Sequence, residues 1–299
     1  MDQARLILQS MRPRQWVKNV LLLAGLYFPQ VDGDGPLVLQ PGAVGRALAG
    51  FVVFCLVAGS GYLINDLLDA PRDRQHPRKR TRPIASGRLA PGLALRAAAI
   101  LAAAGLTAAY ALSFAFGLCV TAYFAMEMAY CVMLKDVFLI DTLVISLGFI
   151  IRAVSGIIVL RAENQPVELT PWFVVCVLFL SLLLAFGKRQ AELGRRSQAP
   201  EAHRPVLGEY SPALLNGAMT VCAGATILAY ALYSVGHPRP WEMLSTLPFV
   251  IFGVFRYLHL SLATAAAEVP EDLFLGDPAL LGCVGLWALT LLLVFYPVG

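Results

Sequence analysis

Long apolar runs separated by short clusters of charge dominate the chain. Runs near 16–30, 44–64, 92–111, 114–133, 137–160, 171–186, 213–235, 247–266 and 279–297 approach the roughly 20 residues that an α-helix needs to cross a bilayer. They predict nine transmembrane helices. The sixth opens at Pro171, which suits a first helical turn, where the missing N–H has no partner to lose. High Leu and Ala content with little period-two alternation argues against a membrane β-barrel. The expected fold class is therefore all-α, a polytopic membrane bundle. With no internal repeat or low-complexity linker, residues 1–299 read as a single transmembrane domain.

Composition sharpens this picture. With 58% hydrophobic and 14% charged residues and a mean hydropathy of +0.70, 299 residues leave no room for a soluble catalytic domain beside the helices. Any chemistry must sit on the bundle or its loops. An excess of 23 Lys and Arg over 19 Asp and Glu is too small to make nucleic acid the expected partner. Cys55, Cys119, Cys131, Cys176, Cys222 and Cys283 all fall in apolar stretches without a Cys-x-x-Cys pair, so they read as small core residues, not as a disulfide framework or zinc site. The N-terminus MDQARLILQSMRPRQWVKN lacks the short apolar run and small-residue site of a cleaved signal peptide.

Charge placement predicts orientation, since loops facing the cytoplasm carry the Lys and Arg excess. With nine crossings and the N-terminus inside, eighteen of the 23 cations fall on one face. Arg46, Arg161 and Arg239 fall on the other, while Arg152 and Arg256 lie within helices. Two cytoplasmic loops follow, 65–92 and 187–212, each mixing carboxylates with Arg and Lys.

In the first loop, Asn65, Asp66, Asp69 and Asp73 have the spacing of one helix face: Asn65, Asp69 and Asp73 stack and Asp66 lies beside them. Crowded carboxylates repel unless a cation sits among them, and magnesium takes carboxylate oxygens together with substrate phosphates. The plainer alternative is a solvated helix end with Asp–Arg pairs. Pro71 is expected to bend or end the helix. Arg78, Lys79, Arg80 and Arg82 serve orientation or attract anionic lipid, and Arg82, beside Pro83, is the candidate substrate contact.

In the second loop, Glu192 lies within helical reach of Lys188 and Arg189, as a phosphate site or as an intrahelical salt bridge. Between the loops, Lys135 stands at a helix entrance, with Asp141 and Arg152 progressively deeper. A charge at membrane depth costs from about 2.5 kcal/mol upward, so Asp141, Arg152 and Arg256 either pair with buried side chains or meet a ligand. Glu127 or a lipid-borne phosphate are the candidate partners of Arg152. In RPRQWVKN, Lys18 and Asn19 belong either to an interfacial belt or to a polar cavity.

The string NDLLDAPRD (65–73) resembles the N-D-x-x-D-x-x-x-D signature of the UbiA-type intramembrane prenyltransferase superfamily. Together with RPRQWVKN, LKDVFLID, GFIIRAVSG and LAFGKRQAEL, it is similar to the members that transfer phosphoribosyl to decaprenyl phosphate. The resemblance implies a UbiA-like bundle in a bacterial plasma membrane with a cytoplasmic active site. It implies phosphoribosyl diphosphate and polyprenyl phosphate as substrates, and a role in lipid-linked ribose and cell-wall arabinan synthesis. It also implies Mg2+ held by Asp66, Asp69 and Asp73 with Asn65. Arg82, Lys188 and Arg189 would hold donor phosphates, and Lys135, Asp141 and Arg152 would position the sugar or the lipid phosphate. Lys18 and Glu192 complete the expected binding set, and a homo-oligomer remains open.

The family's second aspartate-rich motif is replaced here by KRQAE, with Lys188, Arg189 and the single carboxylate Glu192. Cations in that place suit a donor carrying an extra phosphate. An aromatic prenyltransferase using a polyprenyl diphosphate would call for the missing aspartates. A transporter would be expected to show repeated halves.

Overall fold

The computed structural model describes residues 3–27, 40–76, 79–161, 169–195, 205–263, 273 and 276–295. The chain opens with α1 (Gln3–Ser10) and a 3-10 segment, Pro13–Tyr27. Then come α2 (Pro41–Gln75), α3 (Pro91–Leu112), α4 (Phe114–Val132), α5 (Ile140–Arg161) and α6 (Pro171–Arg195). The remaining helices are α7 (Pro212–Val235), α8 (Pro240–Leu244), α9 (Leu247–Ala263) and α10 (Pro278–Phe295). Among the described residues there is no strand, and seven helices are long and apolar enough to cross a membrane. The first and last of the nine expected crossings correspond to the 3-10 segment and to a shorter apolar helix, Pro278–Val294.

Four apolar clusters fill the interior, two of them large. Phe54 of α2 is at the heart of the first, its ring 6.1 Å from Phe116 and 5.2 Å from Tyr123 of α4, with Ile157 and Leu160 of α5 completing the wall. The second gathers Leu183, Leu215, Met219, Tyr257 and Leu280 from α6, α7, α9 and α10. The outside is also apolar: Phe114 is 71% exposed and Ile100 68%, as for a protein whose solvent is lipid.

Lipid tails are as apolar as Leu, so close van der Waals packing holds such helices together. Gly156 shows this directly. A Cβ there would overlap the Leu22 carbonyl, so the missing side chain lets the 3-10 segment lie backbone to backbone on α5.

Two helices run past their apolar stretches. α2 does not end at Pro71 but continues to Gln75, so the acid motif is helical, not a loop. Proline removes one N–H bond near the helix end, while Arg72 and Arg74 in the last turn favour the helix dipole and the His76 N–H closes onto the Asp73 carbonyl. Likewise α6 extends to Arg195, beyond the expected end at 186, and carries Lys188, Arg189 and Glu192 on regular helix. Arg78, residues 196–204 of the second expected loop and the outer ends of the first, eighth and ninth expected helices lie outside the described residues.

Candidate active site

The last three turns of α2 bring Asn65, Asp66, Asp69 and Asp73 to one end of the bundle, and cations from three other segments close on them. Arg12, just before the 3-10 segment, pairs with Asp66 Oδ1. Arg82 Nη1 bridges Asp66 at 3.1 Å and Asp73 at 2.6 Å. Lys135 Nζ meets Asp69 Oδ1 at 2.6 Å, and Asn65 donates to Asp69 Oδ2 at 3.0 Å. Asp66 and Asp73 are buried, while Arg12 and Arg82 keep 22% and 25% of their side chains exposed. Arg12 and Arg82 thus stand on the exposed side of Asp66 and Asp73, whereas Lys135 is more buried than its partner Asp69.

Both flanks of this face use unusual backbone. Among the described residues, the non-glycine positions with positive φ are Arg12 at 53° and Leu139 at 61°. Each costs on the order of 1–2 kcal/mol for an L-residue. Arg12 is thereby turned onto Asp66, and Leu139 lies between Lys135 and Asp141.

The second cluster is sealed. Arg189 of α6 and Asp141 of α5 are both fully buried, with Nε and Oδ2 2.7 Å apart. Arg189 also pairs with Glu192 and reaches Tyr130 Oη at 3.5 Å. The Tyr210 hydroxyl donates to Asp141 Oδ1 at 2.6 Å and accepts from the Leu139 N–H at 3.2 Å, so one phenol ties the segment before α7 to the start of α5. Burial, followed by the adjacent Asp141 carboxylate, pushes the Tyr210 phenol up and keeps it protonated. Arg189, Asp141 and Glu192 thus form part of the wall, while Lys188 is half-buried one position away.

A third group lies farther from the acid end. Arg152, buried in α5, donates to Asn19 Oδ1 at 2.8 Å, to the Gly148 carbonyl at 3.0 Å and to the Tyr123 hydroxyl at 2.6 Å. Glu127, the partner considered from sequence, is reached through Tyr123, which donates to Glu127 Oε1 at 2.9 Å. Asn19 is buried and Lys18 half-buried. Arg256 pairs with Asp277 at 2.7 Å, away from these groups.

Nothing in the sequence pattern singles out Arg12, Tyr123, Tyr130 or Tyr210. Arg12 lies in RPRQWVKN and Tyr210 in the charged stretch 187–212, but their partners are 54 and 69 residues away. Nothing local announces such pairs.

Among the described residues no group of three or more His, Cys, Asp or Glu is gathered as a metal cage. The donor set is instead hard carboxylate and amide oxygens on one helix face, backed by cations. That fits a magnesium ion held by one or two carboxylates and completed by substrate phosphates, and it does not fit a closed site.

Oxygen donors and cations gathered at one end of the long second helix define the class: a helical integral membrane protein with a polar site at one end of its bundle. The sequence profile described as the UbiA prenyltransferase family matches residues 34–262, and the chain belongs to that family. It is 33% identical over 298 residues to the decaprenyl-phosphate phosphoribosyltransferase of Corynebacterium glutamicum, covering 97% of this chain and 86% of the relative. To the enzyme of the same name from Mycobacterium tuberculosis it is 34% identical over 277 residues, covering 92% and 89%. Its fold is similar to that of a UbiA homolog from Archaeoglobus fulgidus bound to GPP and Mg2+, with a TM-score of 0.73 at 18% identity, covering 97% and 98%. The protein is an integral membrane enzyme of the prenyltransferase type.

Proposed function

We propose that the chain transfers the 5-phosphoribosyl group of phosphoribosyl diphosphate to the phosphate of a polyprenyl phosphate, such as decaprenyl phosphate. The observation that carries this reading is the pairing of every aspartate on the α2 face with a cation, in a chain whose sequence carries Lys188 and Arg189 where a second aspartate pair would serve a prenyl diphosphate. Relatives named for that reaction, similar over nearly the whole chain, support it.

The bond from ribose C1 to the diphosphate oxygen breaks, with its electron pair leaving on diphosphate. A bond from C1 to an oxygen of the lipid phosphate forms. The acceptor is already an anion, so no strong base is needed. One or two of Asp66, Asp69 and Asp73, with Asn65, would hold Mg2+, which when bound neutralises charge on the departing diphosphate. Arg12, Arg82 and Lys188 would turn from the carboxylates or the helix surface to the donor's phosphates, Arg as a two-pronged donor and Lys as a point charge. Lys135 would position the sugar-bearing end, and Arg152 the lipid phosphate. Asp141, Arg189 and Glu192 act as positioning residues that hold α5, α6 and the Tyr210 segment in register.

The reacting end would face the cytoplasm of a bacterial plasma membrane, where the soluble donor is found. The product would be a lipid-linked pentosyl phosphate, of the kind that supplies cell-wall arabinan. Purified protein given labelled phosphoribosyl diphosphate, polyprenyl phosphate and Mg2+ should yield labelled lipid. A parallel reaction with polyprenyl diphosphate and hydroxybenzoate should not form a prenylated ring, and product in that second reaction alone would overturn the assignment.

A further inference from the structure

Among the described residues, the carboxylates of Asp66, Asp69, Asp73, Asp141 and Glu192 each meet a guanidinium or ammonium group. Glu127, half-buried on α4 and turned to the bundle interior, does not. Its Oε1 accepts from the neutral Tyr123 hydroxyl, and the positive charge of Arg152 is reached only through that phenol. The arrangement orients the carboxylate and compensates its charge at a distance, while among the described residues Oε2 meets no protein donor.

The position of Oε2 gives this meaning. A Cβ added to Gly61 would lie in ordinary contact with it at 3.5 Å, so Gly61 is the position on α2 that faces that oxygen. Gly61, Asn65 and Asp69 follow at intervals of four and stack along one helix face. Lys135, just after α4, grips Asp69 at the far end of the same face. Glu127 therefore stands about one helical turn, ~5.4 Å, from the level of Asn65, on the side away from the acid end. With a diphosphate at the acid end, that level is where the donor's next group sits.

We propose that Glu127 recognises the vicinal hydroxyls of the pentose donor, accepting from them through Oε2. The proposal rests on the phosphoribosyl reading above. An ionised carboxylate offers only acceptors, and two adjacent hydroxyls supply matching donors. A prenyl chain at the same place would bury that charge without any hydrogen bond. Glu127 would thus select a sugar donor over a prenyl donor.

The test compares the natural donor with its 2-deoxy and 3-deoxy counterparts on the unaltered protein and on Glu127→Gln, with kcat/KM measured for each. The deoxy donors' intrinsic reactivity is common to both proteins and cancels in the comparison. Loss of a charge-assisted hydrogen bond should lower kcat/KM for the natural donor about 10- to 100-fold and shrink discrimination against at least one deoxy donor by a similar factor. The KM for polyprenyl phosphate should stay unchanged. Unchanged discrimination against both deoxy donors, or an effect confined to the lipid KM, would overturn the proposal. Unaltered protein that makes no lipid product from phosphoribosyl diphosphate would instead overturn the underlying reading.

Should Glu127→Gln fail to fold, Gly61→Ala supplies a second test. Its methyl group would lie against Oε2 and take the room a hydroxyl needs there, so it should raise the donor KM about 10-fold, as one blocked hydrogen bond to a charged group would. A folded Gly61→Ala protein with an unaltered donor KM would also count against the proposal.

Discussion

At the acid face of α2, Arg12 and Arg82 keep 22% and 25% of their side chains exposed, whereas Arg189 and Asp141, between α5 and α6, keep none. Both clusters join carboxylates to guanidinium groups, yet solvent access makes them different devices. Arg12 and Arg82 are partly exposed and both meet the buried Asp66, so Arg12 can turn to an arriving phosphate at about 0–1 kcal/mol while Arg82 still neutralises the carboxylate. A sealed pair leaves a bare buried charge when one partner goes, and that costs about 3–5 kcal/mol. The mouth can therefore exchange partners during turnover, while the wall behind it stays in one arrangement.

The largest expected effect tests that contrast directly. Arg189→Ala should destabilise the protein by about 3–5 kcal/mol in denaturant unfolding in detergent, and Arg12→Ala by no more than about 1 kcal/mol. Equal losses would erase the distinction between wall and mouth. Asp66→Asn should lower kcat about 100- to 1,000-fold, in line with loss of a group that stabilises leaving charge, while the unfolding midpoint moves little. Near-normal turnover at saturating Mg2+ would remove Asp66 from the reaction.

Smaller effects sharpen the boundary. Lys188→Ala should raise the KM for phosphoribosyl diphosphate about 10-fold, as expected for one lost charge-assisted bond, without changing the KM for the lipid. An altered lipid KM would move Lys188 to the acceptor side. Tyr210→Phe should cost about 1 kcal/mol through its lost hydrogen bonds. Because the folded phenol is pushed above its ordinary value near 10, its contribution is fully present below about pH 10 and is lost as pH rises through the raised value. The unaltered protein should thus lose stability above about pH 10 with a steeper slope than Tyr210→Phe, and parallel slopes would show that the phenol is not so held.

Legibility followed the range of the interaction. The α2 face could be read because Asn65, Asp66, Asp69 and Asp73 lie within two turns of each other, and helix periodicity alone brings them together. The membrane helices could be read because lipid imposes a length on every apolar run. The ends of α2 and α6 could not, since hydropathy marks where lipid stops, not where backbone hydrogen bonding stops.

Residue types, spacing and apolar runs determined by themselves that the chain is a helical membrane bundle bearing a run of carboxylates on one helix face. Tertiary structure decided which cations meet which carboxylates: Arg12 on Asp66, Lys135 on Asp69, Arg189 sealed against Asp141, and Glu127 left with a phenol. The physical reason is that a charge's role depends on its burial and its partner, and both are set by helices distant in sequence and adjacent only after packing.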